Sequence, residues 1–142
     1  MITCRIATEF SETPGPRYCR QGPDSGEEFY HRILNKEFAE VYQKDDYLIL
    51  DLDNTNGYMS SFLDEAIGNL VYDFGEEVVM KRLSFISDEE PGWIKVIKQK
   101  IIPEWQEHRN KKQEPTITSA KHKEWYRLDN KTLKSKIWIE YK

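Results

Sequence analysis

The stretch Tyr47-Leu48-Ile49-Leu50-Asp51-Leu52-Asp53 constrains this chain more than any other. It is an apolar run of strand length, broken only near its end by two carboxylates, and it predicts a central strand buried on both faces. A strand of that kind needs helices to cover it, and helical spacing flanks it on both sides. Before it, Phe29, Ile33, Leu34, Phe38, Val41 and Tyr42 line one face of a helix that Ser25 opens, with Glu28 at capping-box distance. After it, Phe62, Leu63, Ala66, Ile67, Leu70, Val71 and Phe74 recur at helical spacing, and Gly75 stands where a C-cap belongs.

The remaining punctuation extends the alternation. Ile2, Cys4, Ile6, Thr8 and Phe10 alternate with polar residues and predict a first strand over Ile2 to Phe10, with Tyr18-Cys19-Arg20 as a candidate short strand beside it. Lys44-Asp45-Asp46 makes a turn, a helical turn lies around Glu76 to Met80, and Leu83 to Ser87 reads as a strand parallel to the central one. Asp88 is placed to cap a third helix with an inner stripe of Trp93, Ile94, Ile97, Ile101 and Trp105, which Pro103 should kink or split. Gly68, inside the second helix, marks a close approach to the sheet or to a partner. The spacing thus predicts an α/β domain over residues 1–110. A basic, aromatic-rich extension follows at 111–142: a linker from Lys111 to Lys123, then a hairpin of Trp125 to Leu128 and Ile137 to Tyr141 around Asp129-Asn130-Lys131.

A chain of 142 residues closes one core, and its 38% hydrophobic content argues against disorder of the whole. No apolar run nears the ~18 residues of a membrane span, and the N-terminus lacks a secretion signal, so a cytoplasmic protein is expected. Cys4 and Cys19 read as reduced thiols. His31, His108 and His122 show no metal-ligand spacing and no Gly-rich phosphate loop is present, so neither metal nor cofactor is expected.

Chemistry concentrates after the central strand. Leu48 to Thr55, an apolar strand ending in Asp51-x-Asp53-x-Thr55, resembles the opening motif of haloacid-dehalogenase-type phosphatases. That resemblance implies Asp51 as nucleophile and Asp53 as general acid/base beside Mg²⁺, with Ser87 in a second motif. The Lys and the later acidic pair of that family have no counterpart here. The alternative is that both acids end the strand and hydrogen-bond the turn Asn54 to Gly57.

A longer match starts at Gly57. Gly57-x-x-Ser60-Ser61-Phe62-Leu63-x-Glu65-Ala66-x-Gly68, with Ser25-Gly26-Glu27-Glu28-Phe29 earlier, resembles a bacterial STAS-like family of uncharacterised proteins, from about Arg17 through Ser87. The resemblance implies a STAS-like mixed sheet with helices mainly on one face, here with a C-terminal β-hairpin extension. It also implies a non-enzymatic regulatory module with a protein partner, for which a histidine-kinase-like ATPase is one class. Ser60 takes the place of the serine phosphorylated in anti-sigma-factor antagonists, although Met59 replaces the neighbouring Asp and Phe62 the Gly. The partner surface would then comprise Tyr58 and Met59 as an apolar tip with Ser60, Ser61 and Asp64; the alternative for Tyr58 and Met59 is burial in their own core. Equally, Ser61 and Asp64 have the spacing of an N-cap and its reciprocal acid.

Charge divides the chain: residues 1–94 hold 8 Lys/Arg against 19 Asp/Glu, and residues 95–142 hold 13 against 6. In the basic part, Lys121, Lys123, Trp125 and Arg127 interleave cations with aromatics as single-strand nucleic-acid binders do. The competing readings place this tail on its own core or on a second copy in a homodimer.

Overall fold

β2 (Leu48–Asp51) lies between β1 (Ile2–Arg5) and β3 (Leu83–Ile86) and runs parallel to both. The computed structural model describes residues 1–142. Cys4, Leu50 and Phe85 form one cross-strand row and Thr3, Ile49 and Ser84 the next. The first row points into the core, where Cys4 and Leu50 are fully buried. In the second, Thr3 and Ile49 are half-buried and Ser84 is exposed. The sheet is therefore covered on one face only, and the expectation of a β2 buried on both faces fails at Ile49. Right-handed crossovers between strands in sequential order put both connecting helices on the same side.

The alternation from Ile2 to Phe10 outruns the strand. β1 ends at Arg5, and α1 (Ile6–Glu9) is a single helical turn closed by Glu9, whose carboxylate accepts the Arg5 N–H at 2.8 Å. A spacing of four residues satisfies both periods: Ile6 is buried and Phe10 lies 5.2 Å from the Phe29 ring. Tyr18-Cys19-Arg20 is not a strand either, since Cys19–Gln21 is a 3₁₀ turn in which the Gln21 side chain accepts the Tyr18 N–H at 2.9 Å.

Ser25 caps the first long helix, accepting the Glu28 N–H at 3.0 Å. Glu28 itself turns outward to Arg32 at 2.6 Å, so only half of the capping box forms. α2 (Gly26–Phe29) and α3 (Asn35–Gln43) join through a π turn, Tyr30–Leu34, into one rod. α4 (Ser60–Phe74), which ends at Gly75, is buried nearly all round because α2, α7 (Ile102–Asn110) and the hairpin all pack on it. Gly68 does mark a close approach, but to neither the sheet nor a partner: a Cβ there would stand 2.1 Å from the Trp105 ring, so α4 and α7 touch where a side chain is missing.

α5 (Glu76–Arg82) leads into β3. The third long helix begins at Gly92, beyond Asp88, and runs through α6 (Gly92–Val96), a π turn at Ile97–Ile101 and α7. Pro103 does not split it. The proline stands two residues past the π turn, where the Ile102 N–H reaches back to the Ile97 carbonyl, and that wider ring absorbs a residue without an N–H.

The C-terminal hairpin is tighter than expected. β4 (Trp125–Asp129) pairs antiparallel with β5 (Thr132–Lys136) through a two-residue turn, Asn130-Lys131, with φ of 49° and 66°. Trp125 pairs with Lys136, so Ile137 to Tyr141, expected as the second strand, falls beyond the ladder. Trp138 folds back instead and donates its indole N–H to the Trp125 carbonyl at 2.9 Å. The α/β class, with helices on one face of a small sheet and a C-terminal hairpin, stands. One core of 27 buried residues includes Trp125 and Leu128, so the hairpin shares it with the residues before 110.

Candidate functional site

Both carboxylates at the end of β2, Asp51 within it and Asp53 just past it, accept backbone N–H groups. Asp51 accepts the Asp53 N–H at 2.9 Å, and its other oxygen lies 3.8 Å from Arg5 Nε. Asp53 reaches across to the loop after β3, accepting the Asp88 and Glu89 N–H groups at 3.1 Å each. Glu89 returns the contact by accepting the Asn54 N–H at 2.7 Å. The two loops are therefore stitched together, and the expected bonds from Asp51 and Asp53 to the turn at Asn54 to Gly57 do not form. Thr55 Oγ1 and the Glu12 carbonyl serve that turn instead, accepting from Gly57 at 3.2 Å and Asn56 at 2.9 Å. Gly57 sits at φ 113°, where a side chain would be strained. A cleft of about 290 Å³ lies between the loops, lined by Asp53, Tyr58, Ser87, Glu89 and Trp93 among others.

The residues singled out around the start of α4 separate into two groups. Met59 occupies the N-cap position with extended backbone and is 56% exposed; Ser60 is exposed and Ser61 partly so. No side chain caps this terminus and its first turn holds no acid. Tyr58, by contrast, packs inward, with its ring 5.8 Å from Phe62 and 6.4 Å from Trp93 and its hydroxyl donating to the Leu52 carbonyl at 2.8 Å. Burial holds that phenol above its ordinary range. Asp64 pairs with Arg17 at 2.6 Å and accepts the Trp105 Nε1–H at 3.1 Å, so no Ser61–Asp64 cap exists. Beside it, Glu65 also meets Arg17 at 3.3 Å, and burial pushes its carboxyl up to about 7.

A second constellation escaped the sequence because half of it lies in the presumed linker. Glu27, in the first turn of α2, is fully buried and accepts four hydrogen bonds: Cys19 N–H at 3.0 Å, Thr118 N–H at 2.9 Å, Thr118 Oγ1 at 2.5 Å and His122 Nε2 at 2.6 Å. Burial alone would raise this carboxyl, yet the hydrogen bonds from His122, Thr118 and Cys19 bring it down to about 2. Residues Lys111 to Lys123 are thus pinned at two points and are no free linker. The one local hint was Glu27 itself, a carboxylate inside Ser25-Gly26-Glu27-Glu28-Phe29; nothing near His122 signals its partner.

Two groups are compact enough to share a cation, Cys19 with Glu27 and His122, and Cys4 with Glu9 and Glu37. In the first, burial pushes the Cys19 thiol up to about 11 and Glu27 already accepts four bonds, leaving little lone-pair capacity for a metal. Nor is it a nucleophile relay, because Cys19 Sγ at 4.0 Å and Glu27 at 2.6 Å approach the same imidazole nitrogen. In the second, burial lifts Glu37 to about 7. His31 is buried below His122, stacked at 4.0 Å with both ring nitrogens unpartnered, and its burial holds it neutral.

Of the residues read as a nucleic-acid surface, Trp125 is 2% exposed, and Arg127 Nε pairs with buried Asp73 at 2.7 Å. Tyr30 donates to the same carboxylate at 2.5 Å, and Asn35 holds both the N–H and the carbonyl of Tyr126 at 2.9 Å. Those contacts aim Trp125 and Arg127 inward, away from any phosphate strand; Lys121 and Lys123 alone of the four are exposed.

Residues 25–93 match a protein-family model described as a STAS-like domain of unknown function. No curated protein and no solved structure matches the chain. No helix is long and apolar enough to cross a membrane.

Proposed function

We propose that this chain, whose residues 25–93 match the STAS-like family, is a non-enzymatic regulatory module that binds a partner protein through the strand-loop-helix 53–64. The observation that carries the reading is the open start of α4, where Met59, Ser60 and Ser61 surround a helix terminus with no side-chain cap and no acid in its first turn. Free N–H groups and the partial positive charge of the helix favour a partner's carboxylate there, or a phosphate on Ser60. Phosphorylation would add about −1.5 to −2 charge at this point and change which surface fits. Asp51 and Asp53 serve the reading by fixing the loop, since their oxygens hold backbone N–H groups.

The family resemblance makes a histidine-kinase-like ATPase the first partner class to test. Immobilised wild-type chain is compared with Ser60→Asp and Met59→Lys for capture of such an ATPase, with melting followed by circular dichroism. Both variants should lose capture by about fivefold or more while stability stays within about 0.5 kcal/mol. Wild-type-level capture by both variants would sink the reading. Mg²⁺-dependent hydrolysis of p-nitrophenyl phosphate that disappears in Asp51→Asn would overturn its non-enzymatic part.

A further inference from the structure

We propose that the cavity between the first long helix and residues 119–123 binds a small anion carrying two or more phosphate groups. The cavity measures about 670 Å³, within the roughly 300–1,000 Å³ of small-molecule sites. One wall is the helix face bearing Glu28, His31, Arg32 and Lys36; the other is Lys121, His122 and Lys123. It lies on elements separate from the loop at 53–64, and the proposal does not rest on that loop's role.

Charge is the first argument. Glu28 is the only carboxylate lining the cavity, and Arg32 already holds it at 2.6 Å. Lys36 is half-buried, and its ammonium donates to two carbonyls, of His31 and Glu124, at 3.0 Å each, with no carboxylate in reach. Burial and the nearby Lys123 both disfavour that charge. Lys121 and Lys123 face the same concavity, so three ammonium groups without an ionic partner converge on one space. Like charges held together between low-dielectric walls raise one another's energy and focus a positive potential into the cleft, which an anion relieves. Multiple cations on two walls match a ligand with several charged oxygens better than a single carboxylate.

The floor is the second argument. His31 is 5% exposed, and both ring nitrogens lack a hydrogen-bond partner beneath the stacked His122 ring. Buried polar groups without a partner are few in native structures and mark strained or functional places; here the His122 ring covers the His31 nitrogens, so His122 and not His31 faces a bound anion. Glu27 keeps His122 in place from behind; it is fully buried and does not line the cavity, so its charge acts on an anion only through the intervening His122 ring. A nucleic-acid strand fits less well, because Trp125 is buried and the cavity offers no exposed aromatic platform for bases.

Isothermal titration of the full chain with inorganic pyrophosphate and with ATP tests the site. The double variant Lys121→Gln/Lys123→Gln changes two exposed side chains that hold nothing in the fold. Lys98→Gln/Lys100→Gln removes the same charge from the exposed side of the third helix, outside the cavity. Saturable binding to wild type is expected, weakened about tenfold or more in the first double variant and by less than about twofold in the second, with affinity falling as salt rises. Absence of saturable binding, or an equal loss in both variants, would overturn the site. So would tighter binding of a short single-stranded oligonucleotide than of either phosphate, since that would make the face a nucleic-acid surface.

Discussion

The start of α4 and the C-terminal extension are built on opposite plans. At residues 59–61 the chain ends a loop and begins a helix with no side-chain cap and exposed side chains. At residues 118–127 it is held by buried carboxylates, Glu27 to His122 and Asp73 to Arg127, outside the stretch that the family match covers. The difference teaches that rigidity here follows the burial of charge and not the order of elements: a segment with little regular structure is fixed, while the terminus of the most buried helix stays open.

The largest effect that could break this contrast is expected at Arg127. Arg127→Met leaves Asp73 buried without its cation and should cost about 3 kcal/mol in urea denaturation. A cost under about 1 kcal/mol would show that the hairpin is docked by Trp125 and Leu128 alone.

Glu27→Gln comes next, weakening the hydrogen bonds from His122 and Thr118 at a cost of about 2 kcal/mol. It carries a pH signature with a definite sign. The carboxyl sits at about 2 in the folded chain against an ordinary 4.5, so the unfolded chain takes up the proton first on acidification. Stability from Glu27 is complete above about pH 4.5 and is lost as pH falls toward 2. Denaturation across that window should show this decline in wild type and a flatter curve in Glu27→Gln, with residues 111–123 also opening to limited proteolysis.

At the other region the expected effects shrink. Tyr58→Phe removes the hydrogen bond to the Leu52 carbonyl and should cost about 1 kcal/mol. Ser60→Ala should change the unfolding free energy by less than about 0.5 kcal/mol. A larger loss at Ser60 than at Tyr58 would reverse the assignment of open and internal residues around this loop.

Much of the fold is legible locally. The apolar run at 47–53 marks the middle strand, Ser25 caps the first long helix, and Gly68 signals a close contact, each because burial period, capping geometry and a missing Cβ act within a few residues. The errors share a cause as well. Ile2 to Phe10 fits two periods, and only the Glu9 contact to Arg5 selects a helical turn. The second strand of the hairpin depends on whether two or more residues turn the chain: strand propensity favours Ile137 to Tyr141, but the turn at Asn130-Lys131 sets the register.

The candidate site divides in the same way. The family resemblance puts Ser60 at the head of the helix and spacing offers Ser61 as its cap, whereas the cap position falls to Met59. That Tyr58 and Asp64 turn inward depended on Trp93, Arg17 and Trp105, which arrive from elsewhere in the chain. The amino-acid order by itself determined which segments bury a face and where helices begin. Tertiary structure alone decided which charges are buried together, because Thr118 and His122 stand 91 and 95 residues from Glu27 and Arg127 stands 54 from Asp73, and no local period records a contact across that distance.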